Sequence, residues 1–273
     1  MAVRETKERW TLKAMVYGQG GTGKTRFLGS FNRDPRTAPI LILNCGGNPI
    51  SILDDKPEPF VVRIETGQDL DDFWLYLKAG QPKDHPIRRT VGIPDGLVFK
   101  SVGIDHLSEV QRRLNAGFAG VSMEAVLPTS DWKLSLPQWG QSLTVMMNIV
   151  SLYYTLPVHC VINLQENQET DKANITTIGP FLQGKAVGQA PSLAEIVGRM
   201  VRRAIGPTGP TSDVEDPTGR KIVSVLYWET TGRFAAKNQV SQNLGKEMIE
   251  PTATKLFDLI TGPLTNNQSE KEN

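Results

Sequence analysis

Cysteine is scarce. Cys45 and Cys160 are the only two in 273 residues, and they form no CxxC pair. That excludes a disulfide framework and a thiolate metal cluster of the usual spacing. Each lies in an apolar, strand-like run, as reduced core thiols of a cytosolic protein do. Histidine is also sparse. His85, His106 and His159 are scattered, with no HExxH or similar spacing, so no zinc centre is expected. No apolar run approaches the roughly 20 residues of a membrane span. The first residues, MAVRETKER, are polar and mixed in charge, without the apolar centre of a signal peptide. Neither sign of charge dominates: 30 Lys and Arg stand against 29 Asp and Glu, a formal net charge of +1. A nucleic-acid surface therefore has to be a local patch. No internal repeat is evident.

What the chain does have is a glycine-rich loop in a specific setting. Gly18-Gln19-Gly20-Gly21-Thr22-Gly23-Lys24-Thr25 matches GxxxxGK[ST]. The stretch before it, Leu12–Tyr17, reads as a strand, and Arg26–Phe31 reads as a helix. That context predicts a phosphate-cradling P-loop. Glycines let backbone N–H groups approach phosphate oxygens, and the helix start adds partial positive charge. Residues 18–26, Arg26 included, are the candidate nucleotide-binding segment. Lys24 is expected at the β- and γ-phosphates, and the Thr25 hydroxyl on Mg²⁺. ATP and Mg²⁺ are the cofactors this implies.

The rest alternates strand and helix signals, which predicts an α/β fold with a mostly parallel sheet. Pro39–Asn44 and Phe60–Ile64 read as strands. Thr66 starts a helix with Asp69 as its capping-box partner. Leu70, Phe73, Trp74 and Leu77 form its core face. Residues 80–97 read as a loop. Val98–Asp105 reads as a strand ending in a carboxylate, followed by a helix with Leu107, Val110 and Leu114 inward. Trp139, Leu143, Met146, Val150 and Tyr153 mark one face of a long helix. Val158–Leu164 is the next strand. Residues 117–137 read as irregular, and residues 166–190 as polar and Gly-containing. A helix is expected from Ser192, with Glu195 closing a second capping box. Residues 206–219 are a breaker-rich loop. Late strands are expected at 222–228 and 232–237, and a short helix at 254–261. The expected organisation is a tail over 1–10, one ATPase domain over 11–262 and a disordered tail over 263–273.

A P-loop needs a second carboxylate for its metal, at the end of a neighbouring apolar strand. Asp105, after Val102-Gly103-Ile104, is the candidate metal residue alongside Thr25. From here the order of motifs resembles a known family. P-loop, strand with GG, SVGIDHLSEVQRRL, PQWGQSLTVMMNIVSLYYTLPVHCVINLQENQETD, GPFLQGKAVGQAPSLAEIVGRMVRR and GRFAAKNQ follow one another as in phage RecA-like ATPases of the Sak single-strand annealing type, AAA-family nucleotide-binding proteins. The resemblance spans roughly 12–240. It implies a RecA-like core with late antiparallel strands, ATP hydrolysis, and single-stranded DNA as partner. It also implies a ring or filament of identical subunits, cooperation with a single-strand-binding protein, DNA recombination, and residence in the host cytoplasm.

Within the resemblance, Lys24, Gln165 and Lys237 are the candidate catalytic residues. Gln165 would sense the γ-phosphate, and Lys237 would reach the ATP of a neighbouring subunit. DNA contact would combine cations with stacking aromatics. The candidates are Phe118 and Lys133 near a first loop, and Lys172, Phe181 and Lys185 in a second. Two departures bear on turnover. Asn44-Cys45-Gly46-Gly47 carries no carboxylate where the family tends to have one, and Gln239 replaces an Arg. Glu65, Glu166 and Glu169 are alternative carboxylates. Two other readings stay open: a nucleotide-dependent assembly or switch protein without a DNA role, and a small-molecule kinase using Arg199–Arg203 as a lid.

Overall fold

Short apolar runs bounded by turn residues become the strands of one sheet, and amphipathic segments cover it. The computed structural model describes residues 10–47, 49–120, 133–170, 174–183, 185–206, 209–212, 221–230, 232 and 234–264. The first half contains β1 (Lys13–Gly18), α1 (Lys24–Gly29), β2 (Ile40–Asn44), α2 (Ile50–Leu53), β3 (Phe60–Arg63), α3 (Gly67–Lys78), α4 (Pro86–Val91), β4 (Ser101–Asp105) and α5 (Leu107–Phe118). The second half contains α6 (Leu136–Tyr154), β5 (His159–Thr170), β6 (Thr176–Pro180), α7 (Ala186–Leu193), β7 (Ile196–Gly206) and β8 (Gly209–Ser212). It closes with β9 (Lys221–Tyr227), β10 (Lys237–Asn238), β11 (Glu247–Ile249) and α8 (Ala253–Thr261).

The strand order is β11-β9-β7-β1-β5-β4-β2-β3. Strands β7, β1, β5, β4, β2 and β3 run parallel, whereas β9 and β11 join antiparallel. This is the expected fold class: a mostly parallel α/β sheet with late antiparallel strands. The central strands β1, β2 and β4 are buried on both faces, with alternate side chains serving opposite layers, whereas β3 at the edge is only partly covered. From β1, Met15 and Tyr17 pack with Phe73 of α3, Val150 of α6 and Ala190 of α7. Ala14 and Val16 pack the other way, with Phe27 of α1 and Phe257 of α8.

Local signals account for the helix starts. Thr66 and Asp69 form the capping box expected for α3. Ser135 and Gln138 form another at α6, with Pro137 in the first turn. Met146, Val150 and Tyr153 are buried on the inward face of α6.

Three segments differ from expectation. The helix expected from Ser192 is instead the end of α7, and Ile196–Gly206 continues as an 11-residue strand. Glu195 caps no helix. Its carboxylate accepts from Trp10 Nε1 and from the Lys13 backbone N–H, each at 2.9 Å. Among the described residues of the polar stretch 166–190, β5 runs on to Thr170 and pairs antiparallel with β6, with Glu166 opposite Pro180 and Thr170 opposite Thr176. The stretch 80–97 contains α4, begun by His85 with Pro86 at the first position. Among the described residues, no helix is long and apolar enough to cross a membrane.

Candidate nucleotide site

Parallel strands bring their C-terminal ends to one edge, and open α/β sheets bind ligands there. The register shows the convergence. Gly18 at the end of β1 pairs with Gln165 of β5, and Asn44 at the end of β2 pairs with Asp105 of β4. The glycine-rich loop leaves β1 at this edge and enters α1. Its curvature needs glycine: Gly23 has φ of +100°, and a Cβ there would stand 2.6 Å from Ser224 Oγ. Gly18 is equally constrained, since a Cβ would lie 2.2 Å from the Met200 carbonyl oxygen of β7.

Lys24 is buried, and its ammonium folds back over its own loop. Nζ donates to the carbonyls of Gly18 at 2.7 Å and Gln19 at 2.8 Å. The Thr22 hydroxyl also donates to the Gln19 carbonyl, at 2.8 Å. Burial pulls the Lys24 pKa down to about 8, against the opposing pull of the Asp105 and Glu166 carboxylates.

Asp105 is 2% exposed, so its carboxylate needs partners. Oδ2 accepts from the Thr25 hydroxyl at 2.8 Å, and Oδ1 accepts from Asn163 Nδ2 at 2.9 Å. The two candidate metal residues are therefore in direct contact. Asn163 went unnoticed in the sequence. A polar residue inside the apolar run Val161-Ile162-Asn163-Leu164 was the available signal. His106 was also passed over; its Nε2 lies 3.8 Å from Asp105 Oδ1. Beside this carboxylate, Asn163 Oδ1 and His106 Nδ1 are buried with no hydrogen-bond partner among the described residues.

A cavity of about 660 Å³ opens above the loop. Gly20, Lys24, Thr25, Arg26 and His106 line one side, and Arg202, Ser224 and Pro251 line the other. The volume lies in the range of small-molecule and cofactor sites. The donor set suits a magnesium triphosphate: a buried ammonium and glycine backbone for phosphate, and hydroxyl and carboxylate oxygens for a hard cation. The orphaned polar atoms next to Asp105 fit the same occupant, because buried polar groups are ordinarily satisfied.

The other candidates are placed as follows. The Gln165 side chain is exposed at the loop edge. Its N–H donates to Ser108 Oγ at 3.2 Å and its carbonyl accepts from the Phe181 N–H at 2.7 Å. Of the alternative carboxylates, Glu65 and Glu169 are exposed. Glu166 is the one whose charge acts on Lys24, and it pairs with Arg199, whose Nε donates to Oε2 at 2.8 Å. Arg199 and Arg203 lie on β7, not on a capped helix.

Lys237 lies on β10, paired with β7 rather than with the loop that follows β1. It pairs with Val197, which pairs with Met15, three residues before the end of β1. Its ammonium donates to the carbonyls of Ser192 at 2.9 Å and Ala194 at 2.7 Å, at the end of α7.

Phe118 ends α5 and lines a second cavity of about 440 Å³ with Glu65 and Arg113. Its carbonyl accepts from Gln138 in α6. Lys133 is exposed just before that helix, and Lys185 is exposed just before α7. The Phe181 carbonyl accepts from Ser108 Oγ at 2.7 Å, which ties the end of the β5–β6 hairpin to α5. Phe118 and Phe181 therefore sit toward opposite ends of α5. Lys172 lies outside the described residues. Both cysteines are buried, and burial pushes each thiol up to about 12.

No family model matches this chain, and no curated protein matches it in sequence. Among solved structures it is similar to the RadB recombinase. That likeness covers 86% of this chain and 84% of the other, at 9% identity and a TM-score of 0.42.

Proposed function

We propose that this chain binds magnesium ATP at residues 18–25 and acts as a RecA-like ATPase on single-stranded DNA, supporting annealing or recombination of phage DNA in the Sak manner. The observation that carries the nucleotide part is the 2.8 Å contact between Thr25 and Asp105, with Lys24 beside it on the loop carbonyls. In the complex, Lys24 would exchange those carbonyls for the β- and γ-phosphate oxygens. Thr25 and Asp105 would hold the metal, and Asn163 would keep the Asp105 carboxylate oriented. The bound Mg²⁺ supplies neutralisation of charge on the phosphoryl oxygens. Gln165, level with Gly18 on the adjacent strand, is placed to carry the state of the site into the β5–β6 hairpin.

The DNA part draws on the resemblance, with Phe118 at the end of α5, Phe181 bonded to its first turn, and Lys133 and Lys185 exposed. It also draws on assembly of identical subunits, with Lys237 serving a neighbour's site. The test is ATP turnover titrated with single-stranded and duplex DNA, alongside DNA binding with and without nucleotide. DNA affinity indifferent to nucleotide would end the DNA reading.

One observation favours a second reading. The Glu166 carboxylate, which could orient an attacking water, is occupied by Arg199. A nucleotide-dependent assembly switch with little turnover fits that arrangement. Tight ATP uptake, negligible hydrolysis and indifference to DNA would select it.

A further inference from the structure

This inference rests on nucleotide binding at the P-loop and concerns which residue distinguishes triphosphate from diphosphate. His106 directly follows Asp105 and precedes α5. Its backbone is left-handed, with φ of +68°. Residues other than glycine adopt that conformation uncommonly, with asparagine, aspartate and histidine the most frequent among them. A side chain held there draws attention to what surrounds it.

The surroundings here are the cavity above the loop, which His106 lines together with Gly20, Lys24 and Thr25. Nε2 stands 3.8 Å from Asp105 Oδ1, too far for a hydrogen bond. Nδ1 is buried without a partner among the described residues. A neutral imidazole carries one donor and one acceptor, and among the described residues neither is used in a hydrogen bond. Of the neighbouring polar groups, Asn163 Oδ1 shares this lack of a partner among the described residues, and two others are committed. The Asn44 amide donates to the Gly47 carbonyl at 3.1 Å, and Glu166 is held by Arg199.

We propose that His106 is the terminal-phosphate contact of this site. A ring N–H donates to an oxygen of the γ-phosphate, beside the metal held by Thr25 and Asp105. The diphosphate lacks that oxygen, so the contact makes the two nucleotides distinguishable. It also couples the γ-phosphate to the first turn of α5, the helix the β5–β6 hairpin leans on through Ser108.

The test uses His106→Gly and His106→Asn, both suited to a left-handed backbone. Calorimetry measures the affinity of the full chain for magnesium ADP and for the magnesium complex of a non-hydrolysable ATP analogue. The expected result for His106→Gly is unchanged ADP affinity and a loss of roughly tenfold or more for the triphosphate, the scale of a hydrogen bond to a charged group. His106→Asn keeps a shorter donor and should fall between. Melting temperature should change little for the glycine variant, because glycine adopts the same left-handed backbone. An unchanged triphosphate-to-diphosphate ratio, or an equal loss for both nucleotides, overturns the assignment while leaving nucleotide binding standing. Absence of uptake by the unmodified chain overturns both.

Discussion

Thr25 and Asp105 lie 80 positions apart in sequence, yet the hydroxyl of one donates to the carboxylate of the other across 2.8 Å. A neutral amide at 105 could not match a divalent cation. Asp105→Asn should therefore abolish the magnesium dependence of ATP affinity while leaving the metal-free affinity nearly unchanged. Calorimetry in magnesium and in EDTA reads this directly. A variant that still binds ATP more tightly in magnesium would remove Asp105 from the metal site.

Lys24 gives a pH signature. Its pKa in the free protein is about 8, below the ordinary 10.5, because it is buried. Phosphate oxygens would restore the ammonium, so binding above that pH requires proton uptake. ATP affinity should be flat below about pH 8 and then weaken, approaching tenfold per pH unit. The same shift means that the nucleotide-free fold gains stability as pH rises from about 8 toward 10.5, where the unfolded chain still holds the proton. An affinity that does not change between about pH 7 and about pH 9.5 would contradict the assignment.

Lys237 has a measurable local role. Its ammonium satisfies two carbonyls at the end of α7. Lys237→Ala should cost about 1 kcal/mol of stability in urea unfolding and leave protomer nucleotide affinity unchanged. A loss of turnover only in the assembled state, with stability intact, would instead favour action across a subunit boundary.

His159 sets an acid limit. Burial, with the nearby Lys13 charge, lowers its pKa from 6.5 to about 4. Neutral Nδ1 accepts from the Leu12 N–H at 2.9 Å, and the ring packs edge-on against Phe257 at 4.9 Å. The unfolded chain takes up the proton first. Stability from this group is thus complete above about pH 6.5 and is lost as pH falls to about 4. The loss is on the order of 3 kcal/mol. His159→Gln should flatten the acid decline relative to the unmodified chain in urea melts at matched pH. Parallel declines would show that other groups dominate.

Much of the sheet was legible because its central strands are apolar runs cut off by turn residues, as at Ile40–Asn44 and Ser101–Asp105. The loop and the Asp105 partnership were legible because both sit at strand ends. The stretch from Ile196 misled, because Ile196, Val197, Met200, Val201 and Ala204 fit helical spacing as well as a strand buried on both faces. Flanking by β1 and β9 decided it, and neither neighbour is visible locally. The β5–β6 hairpin was missed for the opposite reason: its residues 166–170 are polar on both faces, so no alternation announces a strand. His106 and Asn163 carried no motif; His106 simply follows Asp105 in the chain, and only the pairing of β4 with β5 brings Asn163 to it.

Strand β1 is gripped along both edges by parallel companions, β5 and β7. It can act as a keel but hardly as a hinge. If the pocket is filled as proposed, the effect would leave by the margins, through the first turn of α5 and the β5–β6 ribbon that follows Gln165. That ribbon is the lever by which a small chemical event could be felt on the outside of the molecule.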